Sequence, residues 1–265
     1  MTPAVRLQRA IAESGLASRR GAEALIEAGR VRVDGRPAAL GERVDLATQR
    51  VEVDGRALRG AQRLVHLALF KPAGVTSTVS DRHARRSVLD LVPAALGEGV
   101  RLYPVGRLDR DSEGLLLLTN DGALTERLLH PRYGVEREYA VGTRARLARA
   151  QEADLRRGVQ LADGIARLRT LRPATADETR ALGGIVTPPP DPRLAWYRVV
   201  LSEGRKRQVR RMFAAVGVPV ERLVRVRFGP LSLEGLAPGE VRALDPDEVH
   251  ALRATGGGRA ADRRA

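Results

Sequence analysis

The sequence contains no cysteine, only two lysines and few aromatic side chains. Of its 46 basic residues, Lys71 and Lys206 are the lysines and the other 44 are arginines, while aromatic residues make up 3% of the chain. The absence of cysteine excludes a disulfide framework, a zinc–thiolate site and thiolate chemistry, and it is typical of proteins from reducing compartments. We therefore expect a cytoplasmic location.

Long apolar runs are missing as well. No run approaches the roughly 18 residues that a membrane span requires, and the opening MTPAVRLQRA lacks the apolar segment of a secretory signal. We expect no membrane partner. Because 43% of the 265 residues are apolar, the chain still has enough apolar surface for one large domain or two unequal ones.

Acidic residues are too few to balance the basic ones. The 32 aspartates and glutamates leave a formal net charge of +14, which attracts polyanions over a distance. Arginine also presents a planar fork that binds phosphate through two hydrogen bonds and stacks on bases. Nucleic acid is therefore the expected partner. The alternative is that the protein is merely basic and binds no nucleic acid, and this alternative stands unless the charges cluster in the structure.

The sequence pattern holds no clear metal or nucleotide signature. The four histidines have no ligand spacing; they are His66, His83, His130 and His250. No glycine-rich loop of the Walker type occurs. The stretch 109–120 resembles the first half of a calcium loop, but Asn120 stands where a bidentate glutamate is needed. We expect neither a metal nor a cofactor.

Residues 1–60 show the pattern of two helices followed by hairpin strands. Leu7 and Ile11 recur at helical spacing, and Ser18 is placed to cap a second helix that ends at Gly29. The chain then alternates in VRVDGR and VEVDGR, each of which ends in an Asp-Gly turn signal. The pattern predicts a small separate domain.

Four arginines bracket the second predicted helix. Arg19 and Arg20 open it, and Arg30 and Arg32 follow its end. Basic residues at both ends of a short helix are able to grip a phosphate backbone. A solvated helix face explains the same spacing, so both interpretations stay open at this point.

Residues 61–253 alternate between strand-like and helical patterns after a short linker around RALRGAQR. The strand-like runs are LVHLALFKPAGV, RLYPVGRL, GLLLLT, EREYAVGT, AWYRVVLSEG and RLVRVRFGPL, and the helical runs are GALTERLLH and RKRQVRRMFAAVG. Since strands outnumber helices and follow one another directly, we expect an α+β domain with a largely antiparallel or mixed sheet. Residues 177–193 are predicted to be a proline-bearing loop, and residues 254–265 a disordered basic tail.

The stretch GRLDRDSEGLLLLTNDG sets Asp109 between Arg107 and Arg110, directly before a run of leucines. At the edge of a buried strand, a carboxylate costs free energy unless a cation or hydrogen-bond donors compensate. A carboxylate held ionised in this way can act as a nucleophile or a base toward a carbon atom. The same pattern fits a structural aspartate in a salt bridge, and Asp111 is a second candidate for the reactive position.

Four motifs in this order resemble the pseudouridine synthases of the RsuA/RluB group. GRLDRDSEGLLLLTND is similar to the central motif of that group, KPAGVTST to its first strand motif, EREYAV to its tyrosine motif, and EGRKRQVRRMFAAVGVPVERLVRVRFGPL to its C-terminal basic motif. The segment RLQRAIAESGLASRRGAEALIEAGRVRVDG resembles the ribosomal-protein-S-four-type RNA-binding domain. The resemblance implies a small N-terminal RNA-binding module followed by a catalytic domain with a central mixed sheet flanked by helices.

The resemblance assigns roles residue by residue. It implies that Asp109 is the catalytic aspartate, that Tyr139 stacks on the target base, and that Arg210 pairs with Asp109. It further implies that Val209 packs below the base and that Arg107 enters the RNA where the uridine has left. The remaining residues expected to contact the RNA are Lys71, as a substrate-binding residue, and Arg205, Lys206, Arg207 and Arg211, as phosphate contacts.

The implied activity is the isomerisation of a specific uridine to pseudouridine in large-subunit (23S) ribosomal RNA, without a cofactor and with the base flipped out of its helix. GVQLADGIARL and EGRKRQVRRMFAAVG favour the large-subunit branch over the small-subunit (16S) branch. A non-catalytic RNA-binding factor for ribosome assembly is the alternative from another class. The expected partner is ribosomal RNA or a ribosomal subunit precursor, and nothing in the sequence requires more than a monomer.

Overall fold

The computed structural model describes residues 4–78 and 86–256, which form two compact units. The first unit ends at Leu64 and also takes in Gly97–Arg101, and the second begins at Val65. Each unit has its own buried apolar side chains.

The first unit combines two helices with short antiparallel strands. Its elements are β1 (Val5–Arg6), α1 (Leu7–Glu13), α2 (Arg19–Glu27), β2 (Val31–Val33), β3 (Arg36–Pro37), β4 (Arg43–Val44), β5 (Val51–Val53) and β6 (Arg56–Ala57). Four strands form a sheet in the order β3-β2-β5-β6, and β1 pairs with β4. The two helices and the hairpins expected from the sequence are present.

The ends of these elements follow from local side-chain chemistry. The Ser18 hydroxyl accepts a hydrogen bond from Gly21 N at 3.0 Å and caps α2, as expected. Asp34 and Asp54, each followed by a glycine, have φ values of 51° and 52°, which two-residue hairpin turns require. The apolar side chains buried beneath these turns and helices are Leu7, Ala10, Ile11, Ala22, Ile26, Val31, Val33, Val44, Val51 and Val53.

The second unit mixes strands and helices along the chain. Its elements are β7 (His66–Lys71), α3 (Ala94–Gly97), β8 (Tyr103–Pro104), β9 (Glu113–Thr119), α4 (Gly122–Leu129), β10 (Arg137–Thr143), α5 (Arg149–Arg157), β11 (Val159–Leu161), β12 (Gly164–Ala166), β13 (Thr170–Pro173), α6 (Ala176–Ile185), β14 (Ala195–Leu201), α7 (Gln208–Ala215), β15 (Val220–Phe228), β16 (Leu231–Ser232), β17 (Val241–Ala243) and α8 (Pro246–Ala254). Short 3-10 turns occupy Val88–Leu91 and Pro131–Tyr133.

A mixed sheet organises the second unit. Its order is β13-β14-β10-β15-β9-β7-β17, with β8 on β9 and β16 on β15. Its neighbouring strands are antiparallel except β9 and β15, which run parallel. β11 and β12 form a separate hairpin. The largely antiparallel α+β architecture expected from the sequence is confirmed.

Strand β9 lies at the centre of the core. It is flanked by β7 and β15, and all seven of its residues are buried, as in a strand that is covered on both faces. One apolar cluster includes Phe70, Leu115 and Phe228, and a second includes Met212 and Phe213. The loop before β9 therefore leads directly into a fully buried part of the molecule.

The segment expected as a proline-bearing loop is partly helical. Its first half belongs to α6, because the Thr175 hydroxyl accepts from Glu178 N at 3.2 Å and the Glu178 carboxylate accepts from Thr175 N at 2.9 Å. This reciprocal capping box starts a helix. The prediction is therefore wrong for residues 177–185.

The predicted C-terminal tail begins too early. Helix α8 continues to Ala254, and Arg127 Nε donates to the Thr255 carbonyl at 3.0 Å. Residues 257–265 of that tail lie outside the described residues. Within the part of the chain that is described, no helix has the length and apolar character needed to span a bilayer.

Candidate active site

Asp109 lies in the loop that joins β8 to β9. The parallel pairing of β9 with β15 puts Gly114 beside Arg225, and the antiparallel pairing of β15 with β10 puts Arg225 beside Tyr139. A register shift in the β10–β15 pair falls between Glu138 and Tyr139, and such bulges re-aim side chains next to functional sites. Asp109 and Tyr139 consequently line the same cavity.

This cavity, the Asp109 cavity, has a volume of about 280 Å³. Among its lining residues are Arg107 and Asp109 from the loop, Tyr139 from β10, and Lys206, Arg207 and Val209 from the segment that enters α7. Val209 is buried, Tyr139 is half-buried and Arg107 is exposed. The fold thus brings together Arg107, Asp109, Tyr139 and Val209, which the sequence had singled out.

The KPAGVTST segment holds the loop on both sides of Asp109. The Ser77 hydroxyl donates to the Leu108 carbonyl at 2.9 Å and also accepts from Leu108 N at 3.2 Å. Gly74 N donates to the Arg110 carbonyl at 2.7 Å. Because the residues before and after Asp109 are fixed, the backbone of Asp109 is held between them.

Lys71 completes this attachment from a fully buried position. Its Nζ donates to the carbonyl oxygens of Ser112 at 2.7 Å, Pro72 at 3.0 Å and Arg110 at 3.4 Å, and the residue is 0% exposed. The expectation that Lys71 contacts the substrate is therefore wrong. Burial lowers the pKa of its ammonium group to about 8, although nearby carboxylates, Glu113 first, oppose the shift.

This shift predicts a pH effect on stability and a direct NMR signal. The Lys71 pKa is about 8 in the folded chain and 10.5 when unfolded, so the unfolded chain binds more protons between these pH values. The contribution of Lys71 to stability is therefore present above the unfolded pKa and is lost as the pH falls through about 8, by up to about 3 kcal/mol. Carbon-13 NMR of labelled lysine should show one side-chain signal that titrates near pH 8.

A Lys206→Arg variant is the control for this titration. The chain has two lysines, so the variant removes one signal and must leave the one near pH 8. If the signal that remains in this variant stays unchanged up to about pH 9.5, Lys71 is not desolvated in the way that its position requires.

Three carboxylates stand at every second position from the loop to the first residue of β9, and they differ in their partners. Asp111 accepts from Arg207 through Oδ1 at 3.1 Å and Oδ2 at 3.3 Å. Glu113 is 1% exposed and accepts from Arg222 at 2.9 and 3.0 Å. Among the described residues Asp109 has one ion pair, from Oδ2 to Arg207 Nη1 at 3.6 Å, and its side chain is 31% exposed. Of the three, Asp109 is the carboxylate available for chemistry.

Pairing and burial shift the pKa values of Asp111 and Glu113 in opposite directions. For Asp111, burial opposes ionisation, but the hydrogen bond from Arg207 and the charge of Arg210 hold the pKa below its usual value. For Glu113, burial outweighs the pairing with Arg222 and raises the pKa. Burial lowers the pKa of the Arg210 guanidinium as well. Asp111 and Glu113 therefore act as partners that hold arginines in place.

The arginine beside Asp109 is not the one that the resemblance implied. Arg210 donates to the Asp111 carbonyl at 3.1 Å and to the Val220 carbonyl at 3.0 Å, and its ion pair is with Asp111. Arg207 has the place next to Asp109 instead. Its backbone lies in the left-handed region, with φ at 52°, where a non-glycine residue is strained and often functional. The expected pairing is corrected to Arg207 with Asp109.

Two of the expected phosphate contacts are engaged within the protein. Arg205 donates to three backbone carbonyls of residues 163–165, in the β11–β12 hairpin, at 2.8 to 3.1 Å. Arg211 binds the Asp163 carboxylate at 3.0 and 2.9 Å, which holds the pKa of that carboxyl below its usual value. The structure therefore does not support phosphate contacts from these two arginines. Lys206 is exposed and forms no ion pair with a described residue.

The four arginines around α2 also differ in whether groups of the protein itself engage their side chains. Arg30 binds the Asp54 carboxylate at 2.8 and 2.7 Å, and Arg32 donates to a neighbouring backbone carbonyl at 2.9 Å. Arg19 and Arg20 are exposed at the start of α2 and have no ion pair within residues 4–78 or 86–256. The pair at the start of the helix is therefore the better candidate for a phosphate contact, and Arg30 is engaged elsewhere.

Sequence reasoning missed several polar residues of this site. Ser77 was one of them, and Gln208 is another: its side chain donates to Glu203 Oε1 at 2.7 Å and accepts from Arg205 N at 3.1 Å. Both lie inside recognised motifs, but nothing in the sequence marks which hydroxyl or amide becomes buried. No three histidine, aspartate or glutamate side chains of the described ranges are grouped to hold a metal ion.

Known proteins match the chain over most of its length. Residues 65–215 match the family described as RNA pseudouridylate synthase, and residues 5–51 match the S4 domain. An uncharacterised RNA pseudouridine synthase of Mycobacterium tuberculosis (strain H37Rv) is 43% identical over 249 residues, which are 94% of this chain and 92% of the relative. Ribosomal large subunit pseudouridine synthase B of Escherichia coli (strain K12) is 41% identical over 254 residues, 94% of this chain and 82% of the relative.

A solved structure agrees with these matches. The crystal structure of a pseudouridylate synthase superposes with a TM-score of 0.61 at 25% identity, over 94% of this chain and 99% of the other. The resemblance seen in four sequence motifs is confirmed by these findings. By sequence and by fold, the chain belongs to the RNA pseudouridylate synthase family and is an RNA-modifying isomerase with an N-terminal S4 domain.

Proposed function

We propose that this enzyme converts a specific uridine of large-subunit (23S) ribosomal RNA to pseudouridine, with Asp109 as the catalytic carboxylate. In this proposal residues 1–60 bind structured RNA and residues 61–253 carry out the reaction in the Asp109 cavity. Ribosomal RNA, free or in a precursor of the large subunit, is the partner. The enzyme then acts in the cytoplasm as a single chain.

The availability of Asp109 carries the proposal. It lines the Asp109 cavity beside Tyr139, whereas Asp111 and Glu113 do not line it and are bound to arginines. The contact between Asp109 and Arg207, at 3.6 Å and partly exposed, is of a kind that contributes at most about 1 kcal/mol to stability. A structural salt bridge therefore explains poorly why an aspartate is placed at position 109. A catalytic role in the cavity explains it well.

The target base has to leave its stack to reach Asp109. Flipping a nucleotide costs a few kcal/mol, and stacking on Tyr139 offsets about 1–3 kcal/mol of that cost. The volume of about 280 Å³ is near the low end for small-molecule sites, which suits one pyrimidine. Val209 and Leu108 contribute buried apolar side chains to a lining that also carries charged groups. Arg107 is exposed and is able to enter the space that the uridine leaves in the RNA.

The reaction exchanges one glycosidic bond for another. The bond between N1 of uracil and C1′ of ribose breaks, the base turns, and a bond forms between C5 and C1′. C5 loses a proton and N1 gains one, so the net composition is unchanged. Asp109 serves either as a nucleophile at C1′ or as a base that removes a proton from C2′ on a glycal route. Either route requires that the cavity, once RNA is bound, retains the detached uracil and excludes water.

Phosphate contacts in this proposal come from cations that have no ion pair with a described residue. They are Arg19, Arg20, Arg107 and Lys206. Arg205 and Arg211 instead fix the hairpin of β11 and β12 against the segment that enters α7. Because each phosphate contact releases counterions, RNA affinity is expected to fall steeply as salt increases.

Support for a large-subunit target comes from the Escherichia coli relative, which is named for the ribosomal large subunit. Pseudouridine mapping on both ribosomal RNAs, in strains with and without the gene, tests the target. We expect the loss of one pseudouridine from 23S RNA. A loss from 16S RNA overturns the large-subunit target and supports the small-subunit alternative.

Tritium release from C5 of labelled uridine measures the reaction on purified material. We expect release from 23S RNA, either naked or in ribosomal particles, when the purified enzyme is added. An enzyme that releases no tritium from naked RNA or from particles of either subunit overturns the proposed activity and favours an RNA-binding assembly factor.

A Ser77→Ala substitution is expected to slow turnover while RNA affinity is kept. The variant loses both hydrogen bonds to Leu108, so the residue before Asp109 is no longer held. A small displacement of a reactive group lowers rates strongly, and we expect kcat to fall about 10- to 100-fold. The free energy of unfolding should fall by about 1–3 kcal/mol because a buried donor and a buried acceptor lose their partner. Single-turnover kinetics and urea unfolding measure the two effects.

Thr143→Val is the matched control for Ser77→Ala. Thr143 is also buried, and its hydroxyl donates to the Ala145 carbonyl at 2.8 Å, away from the Asp109 cavity. The control should lose a similar amount of stability and keep its kcat. Equal kcat values for the two variants contradict the idea that Ser77 positions Asp109.

A further inference from the structure

A second cavity of about 700 Å³ lies next to the Asp109 cavity and has no part in the proposed reaction. We call it the Arg110 cavity. Asp109, Lys206 and Arg207 line both cavities, so the two share one wall. Ala73, Gly74, Arg110 and Pro188 line the Arg110 cavity and not the Asp109 cavity.

Positively charged side chains outnumber the carboxylates around the Arg110 cavity. Asp111 and Glu113 line it, but each is bound to an arginine and does not repel an incoming anion as a free carboxylate would. Arg110 has no ion pair within the described ranges, and its side chain donates only to the Gly74 carbonyl, at 3.4 Å. Lys206 is also without an ion pair there. The third lining carboxylate, Asp109, is partly exposed and is paired with Arg207 at 3.6 Å. Arg110 and Lys206 are therefore the lining cations that have no ion pair with a described residue, and they attract a phosphate group.

The other lining groups suit a flat base. Ala73 and Pro188 are exposed, and Gly74, which also lines the cavity, has no side chain. A nucleobase can lie on such a surface, with the planar guanidinium of Arg110 stacked on its face. The volume is more than twice that of the Asp109 cavity and lies within the range of sites for small molecules. It has room for a base together with its ribose.

We propose that the Arg110 cavity binds the nucleotide next to the target uridine on the same RNA strand, with that nucleotide unpaired. The inference rests on the proposed function. The shared wall is its main support, because a ribose-phosphate chain that leaves the Asp109 cavity passes Lys206 and Arg207 and reaches the Arg110 cavity directly. The enzyme then recognises two consecutive unpaired nucleotides, and the second one contributes to the choice of uridine.

Three hairpin RNAs built around the mapped uridine test this inference. One is unmodified, one has an abasic site at the 5′ neighbour and one at the 3′ neighbour, so that the sugar and phosphate stay in place. We expect the wild-type enzyme to lose about 10-fold in kcat/KM on one of the two abasic RNAs, the size of one lost stacking contact. Equal kcat/KM on all three RNAs overturns the inference.

A variant that fills the cavity makes the test specific. On the unmodified hairpin, Ala73→Trp should lower kcat/KM by a similar factor. On the abasic RNA that the wild type uses poorly, the same substitution should cause no further loss of kcat/KM, since both changes remove the same contact. Ala181→Trp, at an exposed position of α6, is the matched control and should behave as the wild type. If the losses from Ala73→Trp and from the abasic site multiply, the neighbouring base does not occupy this cavity.

Arg110→Gln gives an independent measurement that does not depend on a bulky side chain. It should lower the slope of log affinity against log salt by about one on the unmodified hairpin, as expected for one phosphate contact. An unchanged slope overturns the phosphate part of the inference.

A competition experiment with a nucleoside monophosphate tests whether the Arg110 cavity binds a free nucleotide instead of the neighbouring nucleotide of the RNA. If the nucleoside monophosphate competes and both abasic RNAs keep full activity, the neighbouring nucleotide is excluded as the occupant. A wild-type enzyme inactive on every hairpin and on ribosomal RNA contradicts the proposed function itself.

Discussion

Asp109→Asn is expected to abolish pseudouridine formation and to leave RNA binding unchanged. Asparagine has nearly the same shape, so the loop contacts made by Ser77, Gly74 and Lys71 remain in place. The amide is neither a nucleophile nor a base under the reaction conditions, so both routes considered for the chemistry fail. We expect a loss of at least about 10⁴-fold in the single-turnover rate, the scale seen when an essential catalytic group is removed.

Stability should barely change in this variant. The contact that Asp109 loses is one partly exposed ion pair at 3.6 Å, and Arg207 keeps its hydrogen bonds to Asp111 at 3.1 and 3.3 Å. Thermal unfolding and filter binding to ribosomal RNA therefore serve as controls for the folding and the RNA affinity of the variant. A low rate combined with normal binding and normal unfolding assigns the loss to chemistry.

Asp111→Asn is the matched control, since Asp111 lies two residues further along the same loop and does not line the Asp109 cavity. Its carboxylate holds Arg207 and Arg210, so the control should lose some stability and a small part of the rate. The two variants are therefore expected to differ by about 10³-fold or more in turnover. If Asp109→Asn releases tritium as fast as Asp111→Asn does, Asp109 is not the reactive carboxylate.

The long elements of the fold were predictable because they repeat a strong pattern. The leucines that follow Asp109 form β9, and the alternation in RLVRVRFGPL becomes β15, as the sequence indicated. Helix α6 was missed although Thr175 and Glu178 form a capping box, because Gly183 and Gly184 weaken the helical signal and prolines follow. A short helix with glycines is formed by its cap and its packing, and the packing is not visible in a sequence.

At the site, the sequence located residues better than it located their partners. Asp109 and Tyr139 share the Asp109 cavity, as the motifs implied. The cations were harder to place, because an arginine or lysine looks the same in a sequence whether it faces RNA or is buried against a carbonyl. Arg205 and Lys71 illustrate this, since the backbone oxygens that engage them come from segments about 40 positions away in the chain. Those distant partners exist only after the sheet has formed.

Gly114→Ala is expected to disrupt the second unit, and the reason is close contact between two strands. Gly114 pairs with Arg225 where β9 and β15 run parallel, and its φ is +106°. A Cβ at this position would lie 2.3 Å from the Arg225 carbonyl oxygen and 2.5 Å from its nitrogen. These neighbours are backbone atoms, so relief requires the strands to separate.

The expected loss of stability combines two terms. A side chain at this φ costs about 1–3 kcal/mol, and moving β15 away from β9 disturbs the centre of the sheet. We expect a total above about 4 kcal/mol and a fall in Tm of roughly 8–16 °C for a unit of this size, with loss of activity even below the new Tm. Thermal unfolding followed by circular dichroism measures the change.

Gly183→Ala separates the close contact from a general effect of removing a glycine. Gly183 is exposed in α6, and a Cβ there meets nothing within 4 Å, so alanine should stabilise the helix by about 0.5–1 kcal/mol. The two substitutions are chemically identical and are expected to change stability in opposite directions.

The Gly114 variant should also release less tritium, because β9 carries the Asp109 loop at one end. Both the loss of native protein and the displacement of that loop contribute to the lower rate. Similar Tm values for the two variants would mean that β9 and β15 do not approach as closely as their pairing requires, and the placement of Asp109 beside Tyr139 would then lose its support.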